Sequence, residues 1–340
     1  METCEWQRDI LGPGFQQLAL PLADGQRATL VRCDSGIDAA LAAERVPGAD
    51  SGSDPAGENF LRDTAVLYLH GWSDYFFNRR LARLWTGFGA RFYALDLRDY
   101  GRNLRPGDPD QMPGYIDDLT AYDEELEAAL AIISAENPTG RTVLAAHSTG
   151  GLIAALWANR NPGRLAALAL NAPWLEFQFS SAARRITTPF LGSSKRKERA
   201  PRALPLAIPN FYVQAASENH GAPPWDLALK PPNGFPVYGQ WLRAIFDGHE
   251  EVAAGLDIRE PVLVQISQES FRGTSYTTKM AHTDIVLDVD RIARRAVRLG
   301  RETVLARVPD AVHDVFLSDR AAFGVAADQL RRFARGYIAG

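Results

Sequence analysis

A serine at a sharp turn is the residue of this chain best suited to nucleophilic chemistry. An apolar run in the segment 143–151 leads into Ser148, and a helix-forming stretch follows at once. A serine held at a strand–turn–helix junction is exposed for attack on a carbonyl carbon. The turn crowds the strand against the helix, so the residues two before and two after must be small; they are Ala146 and Gly150. The usual pattern has glycine at both places, and an alternative interpretation is a loop that only caps the helix.

A histidine and an acid that could activate this serine lie near the C-terminus. His313 follows a strand-like run and a Pro-Asp turn, so it lies in a loop from which it could take the proton of Ser148. An acid must orient the imidazole, and Asp284 stands just before a short apolar run and a helix-like segment. Asp288 is the second candidate and more typical of a helix cap. The remaining candidates are Glu269 and Asp290.

The elements that must position these residues alternate between strands and helices. From residue 64 onward the strand-like runs are apolar throughout, which indicates burial on both faces, as in a parallel sheet between helices. Together with two earlier ones, the strand-like runs number eight: 15–22, 28–33, 64–69, 91–97, 142–146, 165–170, 261–266 and 303–308. The spacing of apolar residues predicts helices over 79–88, 115–135, 152–159, 289–299 and 320–337. The expected fold class is therefore α/β, with a mostly parallel eight-stranded sheet.

This alternation stops between residues 172 and 257. The segment holds ten of the 21 prolines and three of the seven tryptophans. We expect a cap, or lid, inserted after the sixth strand, which divides the core into residues 1–171 and 258–340. An insertion there emerges at the carboxyl edge of the sheet, where ligands bind in open α/β folds. The candidate substrate-binding residues are Trp174, Phe211 and Trp241, and the alternative is that they form the cap's own core.

Composition excludes several classes of protein. Among 340 residues, 46% are hydrophobic and 23% charged, with a net charge of −4, which argues against a globally basic nucleic-acid-binding protein. Two cysteines form neither a disulfide framework nor a four-thiolate zinc site. No apolar run has the length of a signal peptide or a transmembrane helix, so we expect a soluble cytoplasmic protein without metal or cofactor. The seven basic residues from Arg184 to Arg202 are typical of a solvated loop; peripheral contact with an anionic membrane is the alternative.

Taken in chain order, these segments resemble the α/β-hydrolase superfamily, and within it the monoacylglycerol lipase, lysophospholipase and serine aminopeptidase-like group. The resemblance covers nearly the whole chain from about residue 60, apart from the cap. Two features depart from the group: Asp99 replaces a glycine, and the stretch 267–283 is longer than usual. The segments that carry the resemblance are His70-Gly71, Asp96-x-Arg98-x-x-Gly101, His147-Ser148-x-Gly150, Asp284-x-Val286 and His313-Asp314.

The resemblance implies a serine hydrolase that cleaves carboxylic esters through an acyl-enzyme. Ser148 would be the nucleophile, His313 the base and Asp284 the residue that orients it. The backbone amides of Trp72 and Thr149 would form the oxyanion hole. The expected substrate is a small ester with an apolar acyl or aromatic group, such as a monoacylglycerol or lysophospholipid. The alternatives are a peptidase or amidase with the same triad, recognised by an acid in the cap that binds a substrate amine, and a non-catalytic binding protein of this fold.

Overall fold

One nine-stranded sheet forms the centre of the computed structural model, which describes residues 5–23, 25–33, 59–177, 203–205 and 208–339. The strand order is β1-β2-β3-β5-β4-β6-β7-β8-β9. The strands are β1 (Gln7–Arg8), β2 (Phe15–Pro21), β3 (Arg27–Cys33), β4 (Thr64–Leu69), β5 (Arg91–Asp96), β6 (Arg141–His147), β7 (Ala167–Asn171), β8 (Val262–Ser267) and β9 (Thr303–Val308). The pairs β1–β2, β2–β3 and β3–β5 are antiparallel, and β4 to β9 are parallel to one another.

The mostly parallel α/β sheet is confirmed, whereas the predicted number of eight strands is wrong by one. The additional strand, β1, has only two residues, which pair with β2. A two-residue strand is too short to show any periodicity in the sequence. All eight predicted strands are present, two of them with the predicted ends and the others with ends shifted by at most two residues.

The helices flank this sheet. They are α1 (Arg79–Gly87), α2 (Asp123–Glu136), α3 (Thr149–Arg160), α4 (Phe211–His220), α5 (Gly239–Ala254), α6 (Val289–Ala296) and α7 (Arg320–Phe333). The predicted helix 115–135 begins later than expected. Asp118 accepts a hydrogen bond from the N–H of Thr120 and starts a 3₁₀ turn, Leu119–Tyr122, before α2. A short acceptor side chain at this place favours a turn over a continuous helix.

The core lies on both faces of the sheet. Successive residues of β4 are buried on opposite sides: Leu67 and Leu69 belong to one hydrophobic cluster, and Val66 and Tyr68 to the other. Side chains alternate across a strand, so a strand covered on both faces must be apolar at every position. This explains why the strand segments from residue 64 onward are apolar throughout in the sequence.

The segment predicted as a cap, 172–257, lies between β7 and β8, and its described residues form α4 and α5. Its boundaries remain a prediction. The basic cluster from Arg184 to Arg202 lies outside the described residues, as does Cys4. Within the described ranges, no helix combines the length and the hydropathy needed to cross a membrane.

Candidate active site

Ser148 lies at the tip of a strained turn between β6 and α3. Its φ of 53° and ψ of −117° place a non-glycine residue in a region that L-residues seldom adopt. Backbone hydrogen bonds hold the turn in place: the N–H of Ser148 donates to the carbonyl of Asn171, and its carbonyl accepts the N–H of Trp174. The strain is thus supported by the neighbouring strand β7 and the residues that follow it.

The glycines after Ser148 are required by close packing. A Cβ on Gly150 would lie 2.3 Å from the carbonyl oxygen of His70, and one on Gly151 would lie 2.6 Å from the Cβ of Pro173. Neither neighbour is the flexible end of a side chain, so any larger residue would displace backbone. Ala146 is buried in the core on the strand side, where a methyl group is accommodated.

The structure brings Ser148, His313 and Asp284 together in one hydrogen-bonded chain. The Nε2 of His313 lies 3.0 Å from the Oγ of Ser148, and its Nδ1 lies 2.9 Å from Oδ2 of Asp284. The carboxylate can only accept, so Nδ1 carries the hydrogen and Nε2 is free to accept the serine proton. The three residues are buried, with exposed fractions of 9% for Ser148, 4% for His313 and 1% for Asp284.

The carboxylate of Asp284 is fixed by its own chain. Its Oδ1 accepts the N–H groups of Val286 and Leu287 at 2.7 and 2.8 Å, which leaves Oδ2 for His313. Asp288 lies instead at the start of α6, where it accepts the N–H of Arg291 as a helix cap. The two remaining candidates form exposed ion pairs with other side chains: Glu269 with Lys279, and Asp290 with Arg307.

Backbone pairing at the end of β8 shows how the long stretch 267–283 is accommodated. The N–H of Asp284 donates to the carbonyl of Glu269, and the carbonyl of Asp284 accepts the N–H of Phe271. The extra residues therefore leave the sheet and return to the same place, with a 3₁₀ turn, Thr278–His282, on the way. Asp284 lies beside the end of β8 despite the insertion.

The loop after β4 packs directly against the serine turn. A Cβ on Gly71 would lie only 3.0 Å from the Cβ of Ser148, so the loop approaches as closely as a glycine allows. Trp72 follows in this loop, and Thr149 is the first residue of α3. The two backbone amides predicted for the oxyanion hole thus belong to segments in contact with Ser148.

His70 is a buried neutral residue of this loop. Its Nε2 accepts the N–H of Leu97 at 3.1 Å, so Nδ1 carries the hydrogen that bonds to the carbonyl of Gly71. Burial lowers the pKa of His70. Both ring nitrogens are used, one within the loop and one toward the end of β5, so His70 holds the shape of the loop.

Asn171, the last residue of β7, is a neighbour of the site that the sequence reasoning missed. Its backbone carbonyl accepts the N–H of Ser148 at 3.0 Å. Its side chain donates to Asp314 at 2.6 Å and accepts the N–H of Val315 at 3.1 Å. A polar residue at the end of an apolar parallel strand was the available signal, since such ends carry functional groups.

A buried ion pair was also missed. Lys230 lies 2.7 Å from Oδ1 of Asp74, and Oδ2 of the same carboxylate lies 3.5 Å from Nδ1 of His147. Burial by itself would raise the pKa of Asp74, but Lys230 and His147 hold it well below its usual value. The ring of His147 lies 4.9 Å from the ring of His313. The ion pair is therefore connected to His313 through two contacts, that of Asp74 with His147 and that of His147 with His313.

Tryptophans cluster beside the loop of Trp72. The ring of Trp241 lies 5.2 Å from that of Trp72 and 6.0 Å from that of Trp174. Phe211 differs, because its aromatic contact among the described residues is Tyr276, at 6.4 Å. Trp241 thus contacts both Trp72 and Trp174, two of the three predicted substrate-binding residues are in contact with each other, and Phe211 packs elsewhere. No group of three or more His, Cys, Asp or Glu side chains within the described ranges is placed to hold a metal ion.

Comparisons with known proteins show which family and which folds this chain resembles. The family model described as serine aminopeptidase, S33, matches residues 62–221. No curated protein matches the chain. Among solved structures, monoacylglycerol lipase from Paleococcus ferrophilus is 17% identical with a TM-score of 0.55, over 80% of this chain and 94% of that one. A soluble variant of monoglyceride lipase from Saccharomyces cerevisiae is 14% identical with a TM-score of 0.58, over 99% of this chain and 96% of that one. Est1E from Butyrivibrio proteoclasticus is 14% identical with a TM-score of 0.55, over 95% of this chain and 99% of that one.

These likenesses confirm the predicted resemblance. At 14–17% identity the solved structures show the fold, which is that of the α/β-hydrolases. The family match supports a hydrolase at the level of the family.

Proposed function

Since the chain has the α/β-hydrolase fold, we propose that it is a serine hydrolase that cleaves carboxylic esters through an acyl-enzyme. The observation that carries the proposal is the hydrogen-bonded chain from Ser148 through His313 to Asp284, with links of 3.0 and 2.9 Å. These distances are those of a nucleophile, its base and the acid that orients the base. A complete chain of this kind also argues against a non-catalytic binding protein.

The mechanism follows from the positions of the protons. The Oγ of Ser148 attacks the ester carbonyl carbon while Nε2 of His313 takes its proton, and Asp284 stabilises the resulting imidazolium. The imidazolium then gives the proton to the departing alcohol, and the acyl group stays on Oγ. Water, deprotonated by His313, attacks the acyl-enzyme, and the proton returns to Ser148 as the carboxylic acid leaves.

The amides of Trp72 and Thr149 are proposed to stabilise the oxyanion formed in both steps. The close packing of Gly71 against Ser148 supports this assignment, because it holds the loop of Trp72 beside the reacting oxygen. Losing one such donor typically costs about 3 kcal/mol of transition-state stabilisation. Burial of the three side chains strengthens these interactions by excluding water.

We propose an uncharged ester with an apolar acyl or aromatic group as the substrate class. The contacts among Trp72, Trp174 and Trp241 support this, since aromatic surface beside the nucleophile favours apolar groups. Two of the similar structures are described as lipases of monoacylglycerol or monoglyceride. The segment 172–257, which supplies two of these rings, is proposed as the cap that covers the site.

The name of the matched family makes an aminopeptidase the second candidate. Such an enzyme needs an acid that is available for the amine of its substrate. The buried acid beside His147 is Asp74, and Lys230 already pairs with it at 2.7 Å. An ester hydrolase fits this arrangement better.

A substrate panel tests the proposal. The wild-type protein is assayed with p-nitrophenyl esters of increasing acyl length beside aminoacyl anilides, with Ser148→Ala as the background control. We expect kcat/KM to rise with acyl length, by a factor that reflects about 0.8 kcal/mol for each buried CH₂. Trp241→Ala should reduce this rise, whereas Phe211→Ala, whose ring packs on Tyr276, should leave it in place. Faster cleavage of the anilides would favour the aminopeptidase.

A further inference from the structure

Lys230 carries a buried ammonium group close to the proposed reaction centre. Its side chain is only 10% exposed, and its Nζ lies 2.7 Å from Oδ1 of Asp74. An ammonium is taken out of water only where the protein replaces its hydration. The surroundings of Lys230 therefore form a site with affinity for a cation.

Three aromatic rings complete this site. The Nζ of Lys230 lies 4.7 Å from the ring centre of Trp225, 5.0 Å from that of Phe77 and 5.4 Å from that of Tyr212. Rings within about 6 Å of a cation attract it through their negative faces, and such cages bind alkylammonium ligands. We call the set of Asp74, Phe77, Tyr212 and Trp225 the cation cage.

The cation cage borders the catalytic residues on two sides. The ring of Tyr212 lies 6.4 Å from the ring of His313, and the two ring planes are inclined at 72°. The carboxylate of Asp74 lies 3.5 Å from Nδ1 of His147, the residue before Ser148. A cationic group on a substrate bound at Ser148 would find its complementary charge here, but the chain's own ammonium occupies the place.

We propose that Lys230 is a specificity-determining residue: its ammonium fills a cation subsite beside Ser148 and so directs the enzyme to uncharged esters and away from substrates that carry an ammonium group. This presupposes the ester hydrolase proposed above. It also gives a reason for the ion pair, because an empty cage with an ionised Asp74 would attract amines.

A pair of isosteric substrates tests the selectivity. A choline ester and the 3,3-dimethylbutyl ester of the same acid differ only in whether the branched group is charged. We expect Lys230→Ala to raise the ratio of kcat/KM for the choline ester to that for the neutral ester at least tenfold over wild type. The double variant Asp74→Asn/Lys230→Ala keeps the rings and the space but lacks the carboxylate, and its ratio should return most of the way to the wild-type value. An unchanged ratio in Lys230→Ala would overturn the proposal.

A stability measurement tests the cation subsite without catalysis. The Tm of each variant is measured in tetramethylammonium chloride and in sodium chloride at equal ionic strength. Tetramethylammonium should raise the Tm of Lys230→Ala, or fold it if it is unfolded in sodium chloride, and should change neither wild type nor the double variant in this way. If Lys230→Ala gains nothing from tetramethylammonium, the cage is not a cation subsite.

The two measurements separate this proposal from the proposed function. A wild-type protein that does not hydrolyse the neutral ester contradicts the proposed function, while the Tm measurement still decides the cation subsite. A wild type that hydrolyses the neutral ester, with a ratio that Lys230→Ala does not move, contradicts only the role of Lys230.

Discussion

The side-chain amide of Asn171 donates a hydrogen bond of 2.6 Å to the carboxylate of Asp314, the residue that follows His313. The backbone carbonyl of the same asparagine accepts the N–H of Ser148. One residue at the end of β7 thus connects the turn of the proposed nucleophile with the loop of its base. The separation of Ser148 and His313 depends on this connection.

Asn171→Ala should therefore lower kcat more than it changes KM. The loop of His313 loses its side-chain hydrogen bonds to residue 171, whereas the backbone bond from Ser148 to residue 171 remains. A displacement of about 1 Å between reacting groups can cost on the order of 100-fold in rate. Steady-state kinetics with one ester measures the effect. Asn161→Ala is the matched control, since Asn161 lies at the C-terminus of α3 and its side chain donates to the carbonyl of Trp157. Equal kcat values for the two variants would contradict the positioning role of Asn171.

Asp284→Asn should lower kcat by about four orders of magnitude, because the amide favours the wrong tautomer of His313. Asp288→Asn should keep kcat and lose at most about 1 kcal/mol of stability, since Asp288 caps α6. Kinetics and urea unfolding of both variants measure the two effects. If Asp288→Asn were the inactive variant, the assignment of the acid would be wrong.

Gly150→Ala should destabilise the fold by about 1–3 kcal/mol or more and reduce activity, because the added methyl meets the carbonyl of His70 at 2.3 Å. Gly324→Ala is the matched control on α7, where no atom other than those of its chain neighbours and its own helix backbone lies within 4 Å of the added Cβ. That change should stabilise the protein by about 0.5–1 kcal/mol. Thermal unfolding of both variants measures the difference, and a Gly150→Ala protein as stable as wild type would contradict the packing described here.

The low pKa of Asp74 makes stability depend on pH in the acid range. Burial opposes its ionisation, but Lys230 and His147 outweigh burial and hold the pKa of the folded state below the unfolded value of about 3.9. The stabilisation is therefore complete above about pH 5 and is lost as the pH falls below about 4. The double variant Asp74→Asn/Lys230→Ala lacks this group, so its Tm should fall less than that of wild type between about pH 6 and pH 3. If the Tm of both proteins fell equally between these pH values, Asp74 would not be a source of the pH dependence.

The sequence was sufficient to predict the elements that have a regular pattern of apolar residues. The strands from β4 to β9 and the turn at Ser148 were predicted because buried parallel strands and a crowded turn restrict the residue types allowed. Asp284 was ranked first although the stretch 267–283 before it is longer than usual. The backbone pairing of Glu269 with Asp284 keeps this acid beside the end of β8 despite the extra residues.

Contacts between distant parts of the chain could not be predicted in this way. Lys230 and Asp74 are separated by 156 positions, and Asn171 and Asp314 by 143. Neither pair belongs to a periodic pattern, and each residue by itself is typical of a loop or a strand end. Phe211 was grouped with Trp174 and Trp241 for its aromatic character alone, and the fold packs it on Tyr276 instead.

Covalent labelling with a fluorophosphonate tests the central claim, that Ser148 is a nucleophile activated by His313. The probe is incubated with wild type, Ser148→Ala and His313→Ala, and the modified peptide is identified by mass spectrometry. The account predicts one adduct on Ser148 in wild type, none in Ser148→Ala and labelling slowed by orders of magnitude in His313→Ala. An adduct on another residue, or equal labelling of wild type and Ser148→Ala, would contradict it.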